Sequence, residues 1–348
     1  MTITYIAAIV MIAGFFLFAW LKSFGRLPRG ARLERVKRSP NYHNGTFRNQ
    51  HVTPTVTNKE GSRYKLLIDF LFQRIDGLRP DKDIPTRKSD MTSLDLNKNL
   101  LVWFGHSSYM IQIDGKRFLI DPVFYNASPV PFTNRAFKGT TIFKPEDLPA
   151  IDYLIITHDH WDHLDYKTVI QLKAHIKKVI CPLGVGESFE YWGFQSDQII
   201  ELDWNDDADI ESGFIIHCLP ARHFSGRGLV SNKTLWASFL LEARSKNIFI
   251  GGDGGYDTHF AQIGERFPNI DLAILENGQY NENWKYIHLL PKYLVQVAKE
   301  LNAKEVLTVH HSKYALARHR WDEPLNNEKK ASESIHILMP LIGEITIL

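Results

Sequence analysis

The sequence predicts an α/β domain of β-sheets covered by helices, which follows an apolar N-terminal segment. Beyond the first hundred residues, short β-rich apolar runs alternate with turn residues, as in 100–122, where Asp114 and Gly115 mark a turn. Segments with helical spacing of apolar side chains, notably 164–176 and 291–303, lie between these runs. In a chain of 348 residues, this succession of strands and helices indicates sheets and helices packed in layers.

The N-terminal segment predicts a transmembrane helix. Residues 1–21 contain no charged side chain, and a helix over 3–21 would span roughly 28 Å, close to the thickness of the hydrocarbon core of a bilayer. Residues 22–38 then carry seven lysines and arginines against one glutamate. Because a cleaved signal peptide has its basic residues in front of the apolar run, this order indicates an uncleaved anchor. The positive-inside rule predicts a single-pass membrane protein whose main domain is cytoplasmic.

The rest of the chain divides into three predicted parts. Residues 22–60 are basic and polar and include prolines, so they predict a linker. Residues 61–97 predict a helical extension, because the apolar side chains of 63–75 recur at helical spacing. Residues 98–348 form the predicted main domain.

The charge distribution does not favour a nucleic-acid partner. The whole chain has a net charge of +2 and residues 1–38 contribute +6, so residues 39–348 are net −4. The two cysteines, Cys181 and Cys218, lie in apolar runs. They predict buried free thiols, because two cysteines cannot form a disulfide framework.

The stretch ITHDHWDHLDY at 156–166 carries the main chemical signal. His158, His160, Asp162 and His163 form the pattern H-x-H-x-D-H directly after an apolar strand. Imidazole nitrogens and carboxylate oxygens are ligands that suit zinc and related divalent ions. A loop that leaves a strand can turn His158 and His160 toward one ion and Asp162 and His163 toward a second. The pattern therefore predicts a metal site.

Four side chains cannot complete two ions, so further ligands must come from other strand ends. His223, Asp253 and His310 each follow an apolar run, and loops at one edge of a sheet commonly assemble functional sites. His310 is preferred to the neighbouring His311 because it directly ends its run, but both remain candidates.

Together these motifs resemble the metallo-β-lactamase superfamily. Within it, the sequence is similar to the branch that contains N-acylphosphatidylethanolamine-hydrolysing phospholipase D. The resemblance covers roughly 98–348 and implies an αββα sandwich with a dinuclear zinc site at one edge. The stretches that carry it are WFGHSSYMIQIDGKRFLIDPVF, LPAIDYLIITHDHWDHLDY, LPARHFSGR, LWASF, GGDGGYDTHFAQIGERF and VHHSKYALA.

The resemblance also implies roles for individual residues. It assigns one zinc ion to three histidines, a second to one aspartate and two histidines, and a bridging position to another aspartate. A hydroxide between the ions is the implied nucleophile, so Asp162 and Asp253 are expected to be catalytic as well as ligands. Iron or manganese in place of zinc stays open. The implied ligands are His158, His160 and His223 for the first ion, Asp162, His163 and His310 for the second, and Asp253 for both.

Three further residues match family positions near the site. Asp121 is expected to orient a ligand, and His106 lies close to it. His288 corresponds to a substrate-handling histidine and is a candidate catalytic residue. The segment ENGQYNENW at 276–284 departs from the GAYEPRW-like segment of the phospholipase.

The expected function is that of a membrane-anchored, zinc-dependent hydrolase of the phospholipase D type, which cleaves lipid-like phosphodiesters. The alternative is a metal-dependent hydrolase of lactones or carboxylic esters, because the same site can attack a carbonyl group. A catalytically silent binding or regulatory protein is the alternative from a different class. The expected partners are a small-molecule or lipid substrate and a membrane, without nucleic acid, and the oligomeric state stays open.

Overall fold

Two seven-stranded β-sheets pack face to face, and helices cover the outer face of each sheet. The computed structural model describes residues 21–57, 75–130 and 132–348. The strands of these ranges are β1 Tyr42–His43, β2 Thr46–Phe47, β3 Leu100–Trp103, β4 Tyr109–Ile113, β5 Lys116–Ile120, β6 Ile151–Ile155, β7 Ile176–Pro182, β8 Ile199–Leu202, β9 Asp207–Glu211, β10 Phe214–Leu219, β11 Ser238–Ala243, β12 Asn247–Ile250, β13 Leu272–Glu276, β14 Glu305–Val309, β15 Ile337–Leu338 and β16 Ile345–Ile347.

The helices are short and connect the strands. The α-helices of the described ranges are α1 Gly30–Arg38, α2 Tyr166–Leu172, α3 Gly186–Tyr191, α4 His259–Arg266, α5 Leu294–Glu300 and α6 Glu323–Ala331. Single 3₁₀ turns lie at Lys22–Phe24, Pro145–Asp147, Lys173–His175, Ser196–Gln198, Glu282–Trp284 and Pro291–Tyr293.

The two sheets have matching topologies. The first has the strand order β16-β3-β4-β5-β6-β7-β8, and the second has the order β15-β14-β13-β12-β11-β10-β9. Strands β5 to β8 are parallel, as are β12 to β15, and the remaining pairs in both sheets are antiparallel. Parallel neighbours put their carboxyl ends at the same edge, so the loops after these strands meet there.

Alternation of side chains along each strand builds three apolar layers. In β11, Phe239 and Leu241 face the core between the sheets, whereas Leu240 joins the outer cluster with Ile263 of α4 and Val297 of α5. On the other side, the outer face of the first sheet packs against α2 and α3. This arrangement is an αββα sandwich, and it confirms the sandwich predicted for the main domain. Cys181 and Cys218 are buried free thiols, as predicted.

The N-terminal part of the chain differs from the prediction. Within 22–57, which was predicted to be a linker, α1 docks on the main domain. Arg32 of α1 makes ion pairs with Glu187 at 2.9 Å, Glu190 at 2.9 Å and Glu201 at 2.6 Å. Composition alone could not show this, because the acidic partners lie more than 150 residues further along the chain.

The predicted extension at 61–97 is helical in none of its described residues. Residues 75–97 form turns and irregular backbone, with one bridge from Thr86 to Ile342. The predicted amphipathic helix at 63–75 lies outside the described residues except for Ile75, and so does the predicted membrane span except for Leu21. No helix of the described ranges combines the length and apolar character needed to cross a bilayer.

Candidate metal centre

Side chains from both sheets meet at the edge where the parallel strands end. Asp121 directly follows β5, and His158 lies three residues after the end of β6. In the second sheet, Glu276 is the last residue of β13 and His310 directly follows β14, while Asp253 lies three residues beyond β12. The predicted metal-binding residues therefore converge because their strands run in the same direction.

One group consists of His158, His160 and His223, whose ligand atoms lie within 4.8 Å of one another. His158 Nε2 is 2.9 Å from His160 Nδ1, which is 3.2 Å from His223 Nε2. Burial lowers the pKa of all three, well below the ordinary range for His158 and His160 and to about 4 for His223. Neutral imidazoles that point ring nitrogens at one another offer lone pairs to a shared cation.

A second group surrounds the carboxylate of Asp162. Its Oδ2 lies 3.0 Å from His106 Nε2, 3.3 Å from His310 Nε2 and 3.7 Å from His163 Nε2. Burial of Asp162 would raise its pKa, but the neighbouring His163 holds it well below the usual range. This group thus places one carboxylate and two of the predicted histidine ligands together, with His106 as an additional neighbour.

Asp253 lies between the two groups. Its Oδ1 is 3.3 Å from His163 Nε2, and its Oδ2 is 3.3 Å from His310 Nε2 and 3.9 Å from His223 Nε2. Among the described residues, Asp253 Oδ1 and His163 Nε2 are buried without a hydrogen-bond partner. Unsatisfied polar atoms are costly inside a protein, and two of them facing each other fit a cation held between them.

The charges of the site also fit bound cations. Burial of His310 and His163 would lower their pKa, but Asp253 and the other carboxylates nearby raise it, to about 10 for His310 and well above the ordinary value for His163. The carboxylates therefore draw positive charge into a largely buried cluster. Nitrogen and carboxylate oxygen donors match the ligands of zinc and of related divalent ions.

Asp121 fixes the orientation of one of these histidines. Its Oδ2 accepts a hydrogen bond from Thr157 Oγ1 at 2.6 Å and lies 2.8 Å from Nδ1 of His163. With Nδ1 occupied, Nε2 of His163 points toward Asp253. Asp121 and His310 both adopt positive φ, at 42° and 71°, a conformation uncommon for residues other than glycine and asparagine.

Glu276 is a member of the site that sequence reasoning missed. Its Oε2 lies 2.8 Å from His288 Nδ1 and 3.3 Å from His310 Nδ1, while its Oε1 accepts hydrogen bonds from the backbone amides of Gly254 and Leu289. The sequence carries a signal for it, because Glu276 ends the apolar run LAILE and His310 directly follows the run EVLTV. In the sequence, Glu276 begins the segment 276–284, which departs from the phospholipase motif.

The structure separates the two candidate histidines of the last loop. His311 contacts Glu328 at 3.0 Å and Ser312 Oγ at 2.9 Å, away from the cluster. His310 joins the cluster, and His288 lies at its open side with 12% of its side chain exposed and Nδ1 3.8 Å from Asp253 Oδ2. All the predicted site residues are thus brought together at one edge, and His311 is not.

A buried arginine holds the metal loop from behind. Arg227 donates to the carbonyl oxygens of Asp159 at 2.9 Å and Leu164 at 2.6 Å, and it stacks on Trp161 with 4.1 Å between the guanidinium carbon and the ring centre. It also donates to the carbonyl oxygen of Ser23 at 2.8 Å. The loop with the H-x-H-x-D-H pattern is therefore tied to the N-terminal segment.

Comparison with known proteins agrees with this geometry. A family model described as the beta-lactamase superfamily domain matches residues 116–311. An uncharacterized protein of Mycobacterium tuberculosis is 35% identical over 315 residues, which cover 88% of this chain and 84% of that protein. N-acyl-phosphatidylethanolamine-hydrolyzing phospholipase D 1 of Caenorhabditis elegans is 32% identical over 232 residues, which cover 62% of this chain and 64% of that one.

A solved structure shows the same fold. The metallo hydrolase Igni18 of the archaeon Ignicoccus hospitalis superposes with a TM-score of 0.55 at 20% identity, covering 72% of this chain and 98% of the other. The fold and the clustered side chains define a metal-dependent hydrolase with an αββα sandwich. The chain belongs to the beta-lactamase superfamily, and the resemblance to the phospholipase D branch is confirmed.

Proposed function

We propose that this protein is a membrane-anchored phosphodiesterase of the phospholipase D type, with two zinc ions and a lipid-like phosphodiester as substrate. The observation that carries the proposal is the position of Asp253, within 3.9 Å of a histidine from each of the two ligand groups. The similarity to the phospholipase of Caenorhabditis elegans supports the choice of bond.

The ligand set follows from the two groups. His158, His160 and His223 would hold one ion, Asp162, His163 and His310 would hold the other, and Asp253 would contact both. Two bound divalent ions supply Lewis-acid chemistry, because they acidify water and stabilise negative charge on a phosphoryl or carbonyl oxygen.

The residues of the chain would position the reactants around this centre. Asp121 holds the ring of His163 through Nδ1, and Glu276 holds the ring of His288 in the same way. This leaves Nε2 of His288 for a substrate oxygen at the open side of the site. His288 would there donate a hydrogen bond or a proton to the leaving group, which is the usual use of an imidazole held by a carboxylate.

The proposed location is the cytoplasmic face of a membrane. It rests on the uncharged residues 1–21 and on the basic residues that follow them. Fractionation of cells that express the full chain, with protease added to intact spheroplasts, tests it. Protection of the catalytic domain until lysis is the expected result, and digestion before lysis would contradict the orientation.

Turnover by the full chain tests the reaction. Bis(p-nitrophenyl) phosphate, a p-nitrophenyl ester and a lactone should be compared with the same preparation, after removal of metal by a chelator and after addition of zinc, iron or manganese. We expect phosphodiester cleavage that requires metal and is restored best by zinc. The Asp253→Ala variant should lack this activity, whereas Asp197→Ala, a change at an exposed residue, should retain it.

The same experiment addresses the alternative. The segment 276–284 differs from the corresponding phospholipase segment, and it begins at Glu276 inside the site. Cleavage of the ester or the lactone without cleavage of the phosphodiester would favour a carboxylic ester hydrolase. Metal binding without turnover of any of the three would contradict both activities for these bond types.

A further inference from the structure

A cavity lies behind the metal loop and is lined in part by residues 24–27 of the N-terminal segment. Its volume is about 550 Å³, which is within the range of small-molecule sites. No member of the metal-ligand groups is among the described residues that line it, so it is separate from the proposed reaction site. The apolar side chains of its wall are Phe24, Leu27, Pro129, Trp161, Leu229 and Val230.

Four charged side chains line this cavity, and each already has a partner; Lys233, for example, donates to the carbonyl oxygen of Gly45 at 2.6 Å. Arg26 pairs with Glu187 at 2.7 Å, and Arg227 donates to backbone carbonyl oxygens on two sides. The carboxylate of Asp159 accepts hydrogen bonds from the amide of Gly226 and the hydroxyl of Thr234, both at 2.8 Å. A charged ligand would have to displace some of these contacts, whereas an apolar chain could contact the apolar wall without displacing any of them. The cavity therefore suits an uncharged, apolar ligand.

The cavity opens beside unusually exposed apolar side chains. Leu229 is 81% exposed, Leu27 is 49% exposed and Val230 is 46% exposed. Exposed apolar side chains that border a cavity commonly mark a binding surface. Leu21, 49% exposed, is the first described residue, and Phe24, three residues further along the chain, lines the cavity.

We infer that this cavity binds one acyl chain of a bilayer phospholipid. An acyl chain is uncharged and elongated, and its head group would remain outside, near the exposed basic residues Lys22 and Arg29. The inference rests on the membrane anchoring in the proposed function and extends it to a site from which the metal ligands are absent. The ligand would contact Trp161, which lies between His160 and Asp162 in the metal loop.

Photolabelling of the full chain tests the inference without measuring turnover. The protein is placed in nanodiscs of phosphatidylcholine that carries a diazirine in one acyl chain, irradiated, digested and analysed by mass spectrometry. We expect adducts on the peptides that contain Trp161 and Leu229. Labelling restricted to residues 1–20 would overturn the inference, as would labelling by a free diazirine fatty acid but not by the phospholipid.

A variant that fills the cavity provides the specific control. Gly228 lines the cavity, and among the described residues an added Cβ there would come within 4 Å only of a ring carbon of Phe24, at 3.8 Å. Gly228→Phe should therefore reduce the adducts to the background level. Val52→Phe, at a position that is 91% exposed and does not line the cavity, should leave them unchanged.

A second variant guards against misfolding. If Gly228→Phe loses the cooperative thermal unfolding of the wild type, Leu229→Asp replaces it, because that side chain is at the exposed mouth. Loss of the adducts in a folded variant supports the site. Unchanged labelling in a folded variant overturns it.

Discussion

Nδ1 of His288 lies 2.8 Å from Oε2 of Glu276, and the same carboxylate oxygen lies 3.3 Å from Nδ1 of His310. One buried acid thus orients a candidate catalytic histidine and a candidate metal ligand. A carboxylate that fixes the ring of a ligating histidine strengthens metal binding and determines which nitrogen faces the ion.

Replacement of Glu276 by glutamine should weaken metal binding. The variant keeps the size of the side chain but loses the negative charge, so the affinity for zinc should fall by roughly 10- to 100-fold. Competition with a fluorescent chelator measures this affinity. Glu282→Gln, in the same segment but with 75% of its side chain exposed, should bind like the wild type. Equal affinities for the two variants would show that Glu276 does not support the site.

Replacement of Arg227 by methionine should destabilise the fold. Asp159 would lose its buried cationic neighbour, and the carbonyl oxygens of Asp159 and Leu164 would lose a donor. We expect a loss of about 3–5 kcal/mol in the free energy of unfolding, measured with denaturant. A second change, Asp159→Asn, should recover part of this loss, because it removes the unpaired carboxylate. Strict additivity of the two changes would contradict the proposed coupling.

Loss of the ion pairs made by Arg32 of α1 should also destabilise the domain. The side chain of Glu201 is only 6% exposed and pairs with Arg32 at 2.6 Å, whereas Glu187, 3% exposed, pairs with Arg26 and Arg29 as well as with Arg32. Arg32→Met should therefore lower the free energy of unfolding by about 3–5 kcal/mol, because the buried Glu201 would lose its ion pair with Arg32. Lys37→Met should change stability by less than about 1 kcal/mol, because that lysine forms an exposed pair with Glu34. If the two variants have the same free energy of unfolding in denaturant, the ion pairs of Arg32 contribute little to stability.

Lys313 gives a prediction for pH. Its ammonium group donates to the carbonyl oxygens of Phe104 and Val123, and burial lowers its pKa from 10.5 to about 7. Between these two values the unfolded chain binds the extra proton, so this group makes the protein more stable as pH rises from about 7 toward 10.5. Below pH 7 the cost of burying the charge is fully present.

The matched variant isolates this contribution. The difference in unfolding free energy between the wild type and Lys313→Met should shift in favour of the wild type across that range of pH. Denaturant titrations of both proteins at several pH values measure the difference. A difference that is independent of pH would mean that the lysine keeps its ordinary pKa in the fold.

The strands of the fold could be predicted from local pattern. The runs LAILE at 272–276 and EVLTV at 305–309 are β13 and β14, because buried parallel strands are rich in apolar side chains. The helix predicted over 164–176 is longer than the observed one. This range contains α2, which is followed by a 3₁₀ turn directly before β7.

The supporting contacts could not be predicted in this way. Helix α1 has a basic, polar sequence in which Val36 is the buried residue. Its docking depends on acidic residues that are distant in sequence, such as Glu201. Arg227 likewise has no local pattern, because its partners come from the metal loop and from Ser23. The predicted metal ligands of the H-x-H-x-D-H pattern have a spacing that can be recognised in the sequence. The residues that support this loop come together only in the folded structure.

The docking of α1 also limits how far the active edge could travel from an anchor. A flexible connection gives a tethered domain a reach that grows with the square root of its length. Here residues 22–38 are held by ion pairs and by Arg227, so an anchor at 1–21 would be joined to the domain with almost no flexible linker. Such an enzyme would act on molecules in the ring of lipid around its own helix. Its rate would then follow the surface density of substrate and lateral diffusion in the bilayer, rather than the concentration in bulk solution.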